Sequence, residues 1–331
     1  MSNEKRPSVC LIYGGRGHES EVSVKGKEHI LPLIDKNTYE PFCLFIHKGG
    51  SWLIDGREVF PARGGFISKD KNEFYKADCA FPLLHGDFGE DGRVQGALEC
   101  ADIPYVGCDS MAGAICRDKS LVKTISHSLG ILTLPHLLIL RSEGIDYAIR
   151  KCEGSFSYPM FIKPARLGSS VGIGVARSGR ELITALTHAF CLGERVIAEP
   201  YLEDKRELEC GYFSTKGKEL FTNPGEILLD GTYDYEKKYL SEDTKLATRA
   251  DLAPEIGDLV RGYSRRLVRA LGVRNISRVD FFLSGGQLYF NEINTMPGFT
   301  EGSLYLRMIE AEGFTAAEAI NMLIESALVP G

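Results

Sequence analysis

No run in the chain approaches the roughly 20 apolar residues that a membrane-spanning helix requires. Residues 1–8 are polar and charged, without the apolar core of a secretory signal. Basic residues are not in excess: 39 Lys and Arg stand against 45 Asp and Glu, a net charge of -6. Such a field draws in neither nucleic acid nor anionic lipid. C-x-x-C pairs are missing as well. The nine cysteines are scattered, several within apolar runs such as Val9-Cys10-Leu11-Ile12. That pattern fits buried free thiols in a reducing compartment better than a disulfide frame or a zinc site. There are no internal repeats and no low-complexity tract. The expectation is a cytoplasmic soluble protein with neither nucleic acid nor membrane as partner. Two nucleotide signatures are also absent: no G-x-x-x-x-G-K-[ST] occurs, and no G-x-G-x-x-G opens a helix.

What is present is an ordinary globular composition, 44% apolar and 25% charged over 331 residues. That length accommodates two or three cores. The first third alternates strands at 8–13, 39–47 and 79–84 with helices at 21–34 and 94–101, and 103–106 closes it. Strand, glycine-rich turn, helix and strand in succession predict a parallel sheet covered by helices. Ligand sites in such sheets lie beyond the carboxyl ends of strands, where Gly14-Gly15 and His85-Gly86 fall. Further on, helices are expected at 117–129, 181–190, 254–271 and 316–328, and strands at 135–140, 159–163 and 195–199. The fold class is α/β, with α+β character in the later part. The division is into residues 1–108, 109–202 and 203–331.

Chemistry concentrates in a few segments. The strands 276–283 and 287–293 flank Ser284-Gly285-Gly286 and predict a hairpin in which Asp280 faces Glu292. With Asn294 the hairpin offers two carboxylates and an amide, an oxygen-only set suited to Mg²⁺ held together with phosphate. An ordinary polar hairpin accounts for the same residues. Lys163 to Gly174 is a loop rich in glycine and hydroxyls whose N–H groups can close on phosphate oxygens; a surface hairpin is the competing reading. Glu199-Pro200-Tyr201-Leu202 leaves one strand, and Glu207 lies in the next. A backbone edge there could meet a base and a carboxylate could meet ribose hydroxyls, although on this segment alone linker acids are the better explanation. His85 to Gly92 is dense in glycine and acid, as a tight turn demands. Glu19 opens a helix, where an acid either caps or holds an ammonium group. Tyr233-Asp234-Tyr235-Glu236-Lys237-Lys238-Tyr239 suits a lid that excludes water.

In order along the chain stand G-G-x-x-x-E-x-E-V-S, H-G-x-x-G-E-D-G, D-K, K-P-x-x-x-G-S-S-x-G, Y-D-Y-E-x-K-Y and R-x-D before N-E-I-N-T-x-P-G. Over nearly its whole length the chain resembles the D-alanine–D-alanine ligases of the ATP-grasp superfamily. The resemblance implies three domains, an N-terminal parallel-sheet domain followed by two ATP-grasp domains with ATP between them. It also implies ligation of two D-alanines to D-alanyl-D-alanine through a D-alanyl phosphate, for peptidoglycan precursors, by a homodimer. Asp280, Glu292 and Asn294 resemble the ligands of two Mg²⁺ (or Mn²⁺) ions. Lys119, Lys163 and Lys238 resemble the phosphate-facing lysines, with Ser170 beside them. Glu199 and Glu207 correspond to the adenine-hinge and ribose residues. Glu19, linked through Ser169 to Tyr239, resembles the acid that holds the first ammonium group. Arg278 and the Gly298 N–H resemble the oxyanion donors. His85 matches the first-substrate side, and Ser303 and Leu304 the second-substrate pocket.

Some positions depart from the pattern. Gly17, Ser20, Thr232, Glu301 and Leu306 stand where Ser, His or Arg, Phe, Ser and Pro are common. None removes a ligand, yet Glu301 and Leu306 border the second-substrate pocket. Ligases that use D-serine or D-lactate as acceptor are therefore the nearest alternative. The intact Tyr239 run and Leu304, in place of an Arg, favour D-alanine. A non-catalytic ATP-binding paralogue would be expected to lack a metal ligand or a phosphate lysine, and none is missing.

Overall fold

The computed structural model describes residues 5–228 and 245–328, and their strands form three sheets. In the first sheet β1 (Ser8–Gly14) runs parallel to β2 (Glu40–Ile46) on one side and to β7 (Cys79–Pro82) on the other. Helices α1 (Ser20–Ile30) and α2 (Arg93–Cys100) accompany this parallel part. The sheet continues beyond β2 as an antiparallel meander of β3 (Trp52–Ile54), β4 (Arg57–Ala62), β5 (Gly65–Ser68) and β6 (Phe74–Lys76). The sequence reading assigned no element to residues 48–78. Asp55-Gly56, both at positive φ, was the available signal, because a two-residue hairpin turn of this type favours Asp-Gly.

The next stretch begins with α3 (Ser110–Arg117) and α4 (Lys119–Ser128). A single helix over 117–129 was expected. Asp118 instead leaves helical geometry at φ -91 and ψ 101, and its side chain caps α4. The second sheet has the order β10-β9-β11-β8, built from β8 (Leu137–Leu140), β9 (Met160–Pro164), β10 (Gly174–Ala176) and β11 (Arg195–Pro200), all antiparallel. Helices α5 (Ile145–Glu153) and α6 (Gly179–Leu192) close its core around Ile162, Leu186 and Val196.

The third sheet runs β15-β14-β12-β16-β17, with β13 beside β12. Its strands are β12 (Arg206–Thr215), β13 (Lys218–Phe221), β14 (Gly225–Leu228), β15 (Lys245–Ala247), β16 (Ile276–Ser284) and β17 (Gln287–Asn294). Helix α7 (Pro254–Leu271) packs on it, opened by Pro254 and stopped by Gly272 at φ +68. α3 and α4 share this core: Ala112 and Val122 lie with Val260, Val279 and Phe290. Helices α8 (Leu304–Ala311) and α9 (Ala316–Leu328) join the third sheet to the first, with Leu11 and Phe81 in one cluster with Phe213, Phe299 and Ile320. One shared core thus ties β1 and β7 to the third sheet, and another ties α3 and α4 to it.

Smaller departures have local causes. α1 stops at Ile30 and a 3-10 turn follows, because Pro32 cannot continue the helix. Residues 103–106 form only a bridge, Ala80 to Tyr105. No described helix is long and apolar enough to cross a membrane. All nine cysteines are free, six of them buried.

Candidate active site

The hairpin of β16 and β17 builds one wall. Gly285 and Gly286 both adopt positive φ, the geometry a two-residue turn demands. From that turn Ser284 pairs with Gln287 and Phe281 with Phe290, a register that would set Asp280 opposite Asn291. A bulge between Asp280 and Phe281 shifts it, and Asp280 pairs with Glu292. The expected facing pair is present, and the bulge is the reason.

Arg278 grips Asp280 through two hydrogen bonds, Nε to Oδ1 at 2.7 Å and Nη2 to Oδ2 at 2.6 Å. It also meets Glu209 Oε1 at 3.1 Å. Burial alone would lower the Arg278 pKa, but Asp280 and Glu209 drive it well above its ordinary value. Its guanidinium is therefore a fixed positive charge. Asn294 Nδ2 donates to Asp280 Oδ2 at 3.0 Å, and Glu292 Oε2 meets Lys119 Nζ at 3.0 Å. Among the described residues no three His, Cys, Asp or Glu side chains cluster as a metal cage. Two carboxylates and an amide fit a hard divalent cation that completes its coordination with phosphate oxygens.

The lysines converge from two directions. Lys119 Nζ donates to Leu167 O at 2.7 Å, and burial lowers its pKa despite Glu292. Lys163, on β9, reaches Glu199 Oε2 at 2.8 Å and Asn291 Oδ1 at 3.4 Å. Lys123 meets the other Glu199 oxygen at 2.7 Å. Burial pushes the Lys123 ammonium down to about 8. Burial would raise Glu199, but the two ammonium groups override it and hold the carboxyl at about 2. Glu199 thus spends its carboxylate on two lysines and lines neither of the two cavities described next.

The larger cavity, about 800 Å³, lies between the second and third sheets. Lys119, Lys163, Ser170, Glu207, Asp280 and Glu292 are on its walls. Glu207 is paired with Lys205 Nζ at 3.0 Å, and that ammonium sits 4.2 Å from the Phe282 ring. A cavity walled by lysines and by Phe161, Phe282 and Ile227 suits a ligand that carries both anionic groups and a flat apolar part. A smaller cavity, about 30 Å³, shares Gly168, Ser169, Arg278 and Glu292 with it and adds Glu19, His85 and Gly298. Ser169 Oγ donates to Glu19 Oε1, bridging the second-sheet loop to the start of α1. Ser169 and Ser170 both hold positive φ, a rare state for residues with a Cβ, and it turns them toward the cavities. His85 Nδ1 lies 3.1 Å from Met296 O.

Ser303 precedes α8 without a side-chain capping bond, and its Oγ donates instead to Gly298 O. Leu304 packs with Ile227 and Met308 and is on the wall of neither cavity. Lys238 and Tyr239, with the whole expected lid, lie outside the described residues. Sequence reasoning missed Arg117, Lys123, Glu90 and Glu209. Lys123 was findable, since it lies one helical turn beyond Lys119 and shares its face. Arg117 and Glu209 carried no local signal.

Residues 57–108 match the family described as D-ala D-ala ligase N-terminus, and residues 125–325 match D-ala D-ala ligase C-terminus. The chain belongs to the D-alanine–D-alanine ligase family. A D-alanine–D-alanine ligase of Solibacter usitatus is 39% identical, across 97% of this chain and 95% of that one. The D-alanyl-alanine synthetase A of Vibrio cholerae superposes with a TM-score of 0.89 at 29% identity, covering 98% of this chain and 99% of that one. The VanG D-Ala:D-Ser ligase of Enterococcus faecalis gives 0.88 at 30% identity, covering 98% and 100%. The family is one of ADP-forming, three-domain ATP-grasp ligases.

Proposed function

We propose that the chain joins two D-alanines with ATP, through a D-alanyl phosphate, to make D-alanyl-D-alanine for peptidoglycan precursors. One observation carries the reading. A small cavity holding a carboxylate–serine pair and a part-buried arginine opens on the same residues as a larger, lysine-lined cavity. That juxtaposition suits an amino acid carboxylate meeting a nucleotide phosphate.

In this reading Glu19 holds the ammonium of the first D-alanine, with Ser169 fixing the carboxylate and His85 flanking it. The free carboxylate of that substrate attacks the terminal phosphorus of ATP and ADP leaves. Lys119 and Lys163, with Lys238, neutralise the charge that accumulates on the transferred group. Asp280, Glu292 and Asn294 would hold two Mg²⁺ (or Mn²⁺) ions, which would supply Lewis-acid stabilisation of the charge on the phosphates. Ser170 and Glu207 lie along the nucleotide, and Glu199 serves it by holding Lys163. The amine of the second D-alanine attacks the acyl carbon, the oxyanion faces Arg278 and the Gly298 N–H, and phosphate leaves. Ser303 and Leu304 border the acceptor side, and Tyr239 with its segment excludes water.

The divisions at 108 and 202 belong to the same proposal, supported by one sheet in each stretch. So do a homodimer and a cytoplasmic location; nine free thiols suit a reducing compartment. The likeness to VanG favours D-serine as the second acceptor to test. Purified protein is given ATP, Mg²⁺ and D-alanine, alone or with D-serine or D-lactate, and products are weighed by mass spectrometry. D-alanyl-D-alanine as the main product supports the reading. Preference for D-serine or D-lactate near neutral pH overturns the acceptor, and nucleotide binding without any dipeptide overturns the activity.

A further inference from the structure

Three consecutive residues at the break between α3 and α4 reach into three different parts of the site. Lys119 goes to Glu292 on the third sheet. Asp118 accepts from Arg166 Nε at 2.9 Å on the loop beyond β9, and meets Arg195 Nε of β11 at 3.0 Å. Arg117 turns to the loop after β7, where its Nη1 donates to Glu90 Oε2 at 3.1 Å and its Nη2 lies 3.6 Å from Asp87 Oδ1.

The Arg117 contact is the one whose purpose the proposed reaction leaves unexplained. Its side chain is only 9% exposed, and its Nε is buried without a partner among the described residues. It lines the small cavity together with Glu19 and Ser169. Glu90 is buried too; its oxygen that meets Arg117 also accepts the Gly86 N–H at 2.9 Å. Gly86 in turn is pressed on Glu19: a Cβ there, at φ +70, would come within 2.5 Å of Glu19 Oε2. A Cβ at Gly168 would come within 3.1 Å of Arg117 Nη1, so the guanidinium is wedged between the two loops that carry His85 and Ser169. Burial raises the Glu90 pKa and Arg117 opposes that rise.

We propose that Arg117 is a positioning residue for the donor amino acid, acting through Glu90 and the Gly86 turn on the carboxylate of Glu19. This rests on the reading that Glu19 holds the donor ammonium. Arg117 touches no reacting atom in it. Its guanidinium holds the Glu90 oxygen that accepts from Gly86, which fixes the turn against Glu19. Lys119 is held independently, by the Asp118 cap and by its own N–H to Ala165 O at 2.9 Å, so nucleotide binding should be spared.

The test is Arg117→Met in the full chain, with hydrogen exchange followed by mass spectrometry and steady-state kinetics. Loss of a charge-assisted hydrogen bond of this kind predicts about tenfold or more in donor KM and in exchange at residues 83–92. Exchange in α4 and KM for ATP should stay within about twofold, on the scale of changes that distant sites produce. Glu90→Gln replaces the buried carboxyl with an amide whose oxygen still accepts from Gly86, so Arg117→Met combined with Glu90→Gln should recover much of the loss. Unchanged exchange at 83–92 with unchanged donor KM overturns the proposal. Equal rises in both KM values with faster exchange throughout also overturn it, because they describe general destabilisation. Should Arg117→Met fail to fold, Arg117→Lys retains one charge, and an unaltered donor KM in that variant overturns the two-armed contact. A wild-type protein that makes no dipeptide refutes the proposed reaction instead, and the exchange measurement then decides the Arg117 link alone.

Discussion

Glu199→Gln removes a carboxylate that neutralises two enclosed ammonium groups. The Lys123 side chain is 0% exposed, Glu199 1% and Lys163 5%. Breaking such a buried set by removing one member typically costs about 3–5 kcal/mol, because charge is left uncompensated. Lys123→Met should cost less, about 1–2 kcal/mol, since Lys163 remains 2.8 Å from the carboxylate and still satisfies it. The double variant leaves a neutral amide beside an apolar chain, with Lys163 able to turn to the larger cavity. At least about 2 kcal/mol of the two single losses should then cancel. The assay is denaturant unfolding of nucleotide-free protein near neutral pH, with the wild type and the three variants compared under one condition. Single losses that add within about 0.5 kcal/mol would refute the idea that the three charges act as one unit. The pH dependence gives a second check. A carboxyl held at about 2, against an ordinary 4.5, contributes stability above 4.5 that is lost as pH falls toward 2, and Glu199→Gln should lack that loss. Lys123 at about 8, against 10.5, releases its proton in the folded state while the unfolded chain keeps it. Stability should therefore rise with pH across that window, and Lys123→Met should remove the rise.

Three further outcomes are expected. Arg278→Met should lower kcat for dipeptide formation by about a hundred- to thousandfold, as loss of an oxyanion donor does, measured by coupled ADP release. Asp280→Asn should move Mg²⁺ activation to higher concentration; unchanged turnover and unchanged Mg²⁺ dependence would remove Asp280 as a ligand. Asp118→Ala loses the α4 cap, worth about 1 kcal/mol, together with the anchor for Arg166 and Arg195, so the melting temperature should drop and KM for ATP should rise.

Legibility differed from residue to residue. The 276–294 hairpin was readable because Gly285-Gly286 announces a turn and the flanking strands alternate. The Asp280–Glu292 pairing was expected, but the bulge that produces it was not readable, because it has no one-residue signature; without it Asp280 would face Asn291. The helix break at Asp118 was hidden, since apolar periodicity runs through it and only the cap geometry separates α3 from α4. Glu199 was readable as a site acid but not in its direction. Its partner Lys163 is a cross-strand neighbour, and Lys123 comes from a helix that packs on another sheet.

The sequence by itself determined the chemical inventory: an oxygen-only donor set, spaced lysines, a hydroxyl-rich loop, turn glycines where backbones fold tightly, and the family those segments spell out in order. These are local properties, fixed by residue type and short spacing. Only the tertiary structure decided which of them meet. Ser169 reaches Glu19 across 150 positions, and His85 reaches Met296 across 211. Arg117 finds Glu90 because the third sheet shares one core with α3 and α4 and another with the first sheet. Such meetings depend on how separate apolar faces pack together, and no local pattern in a single chain records that.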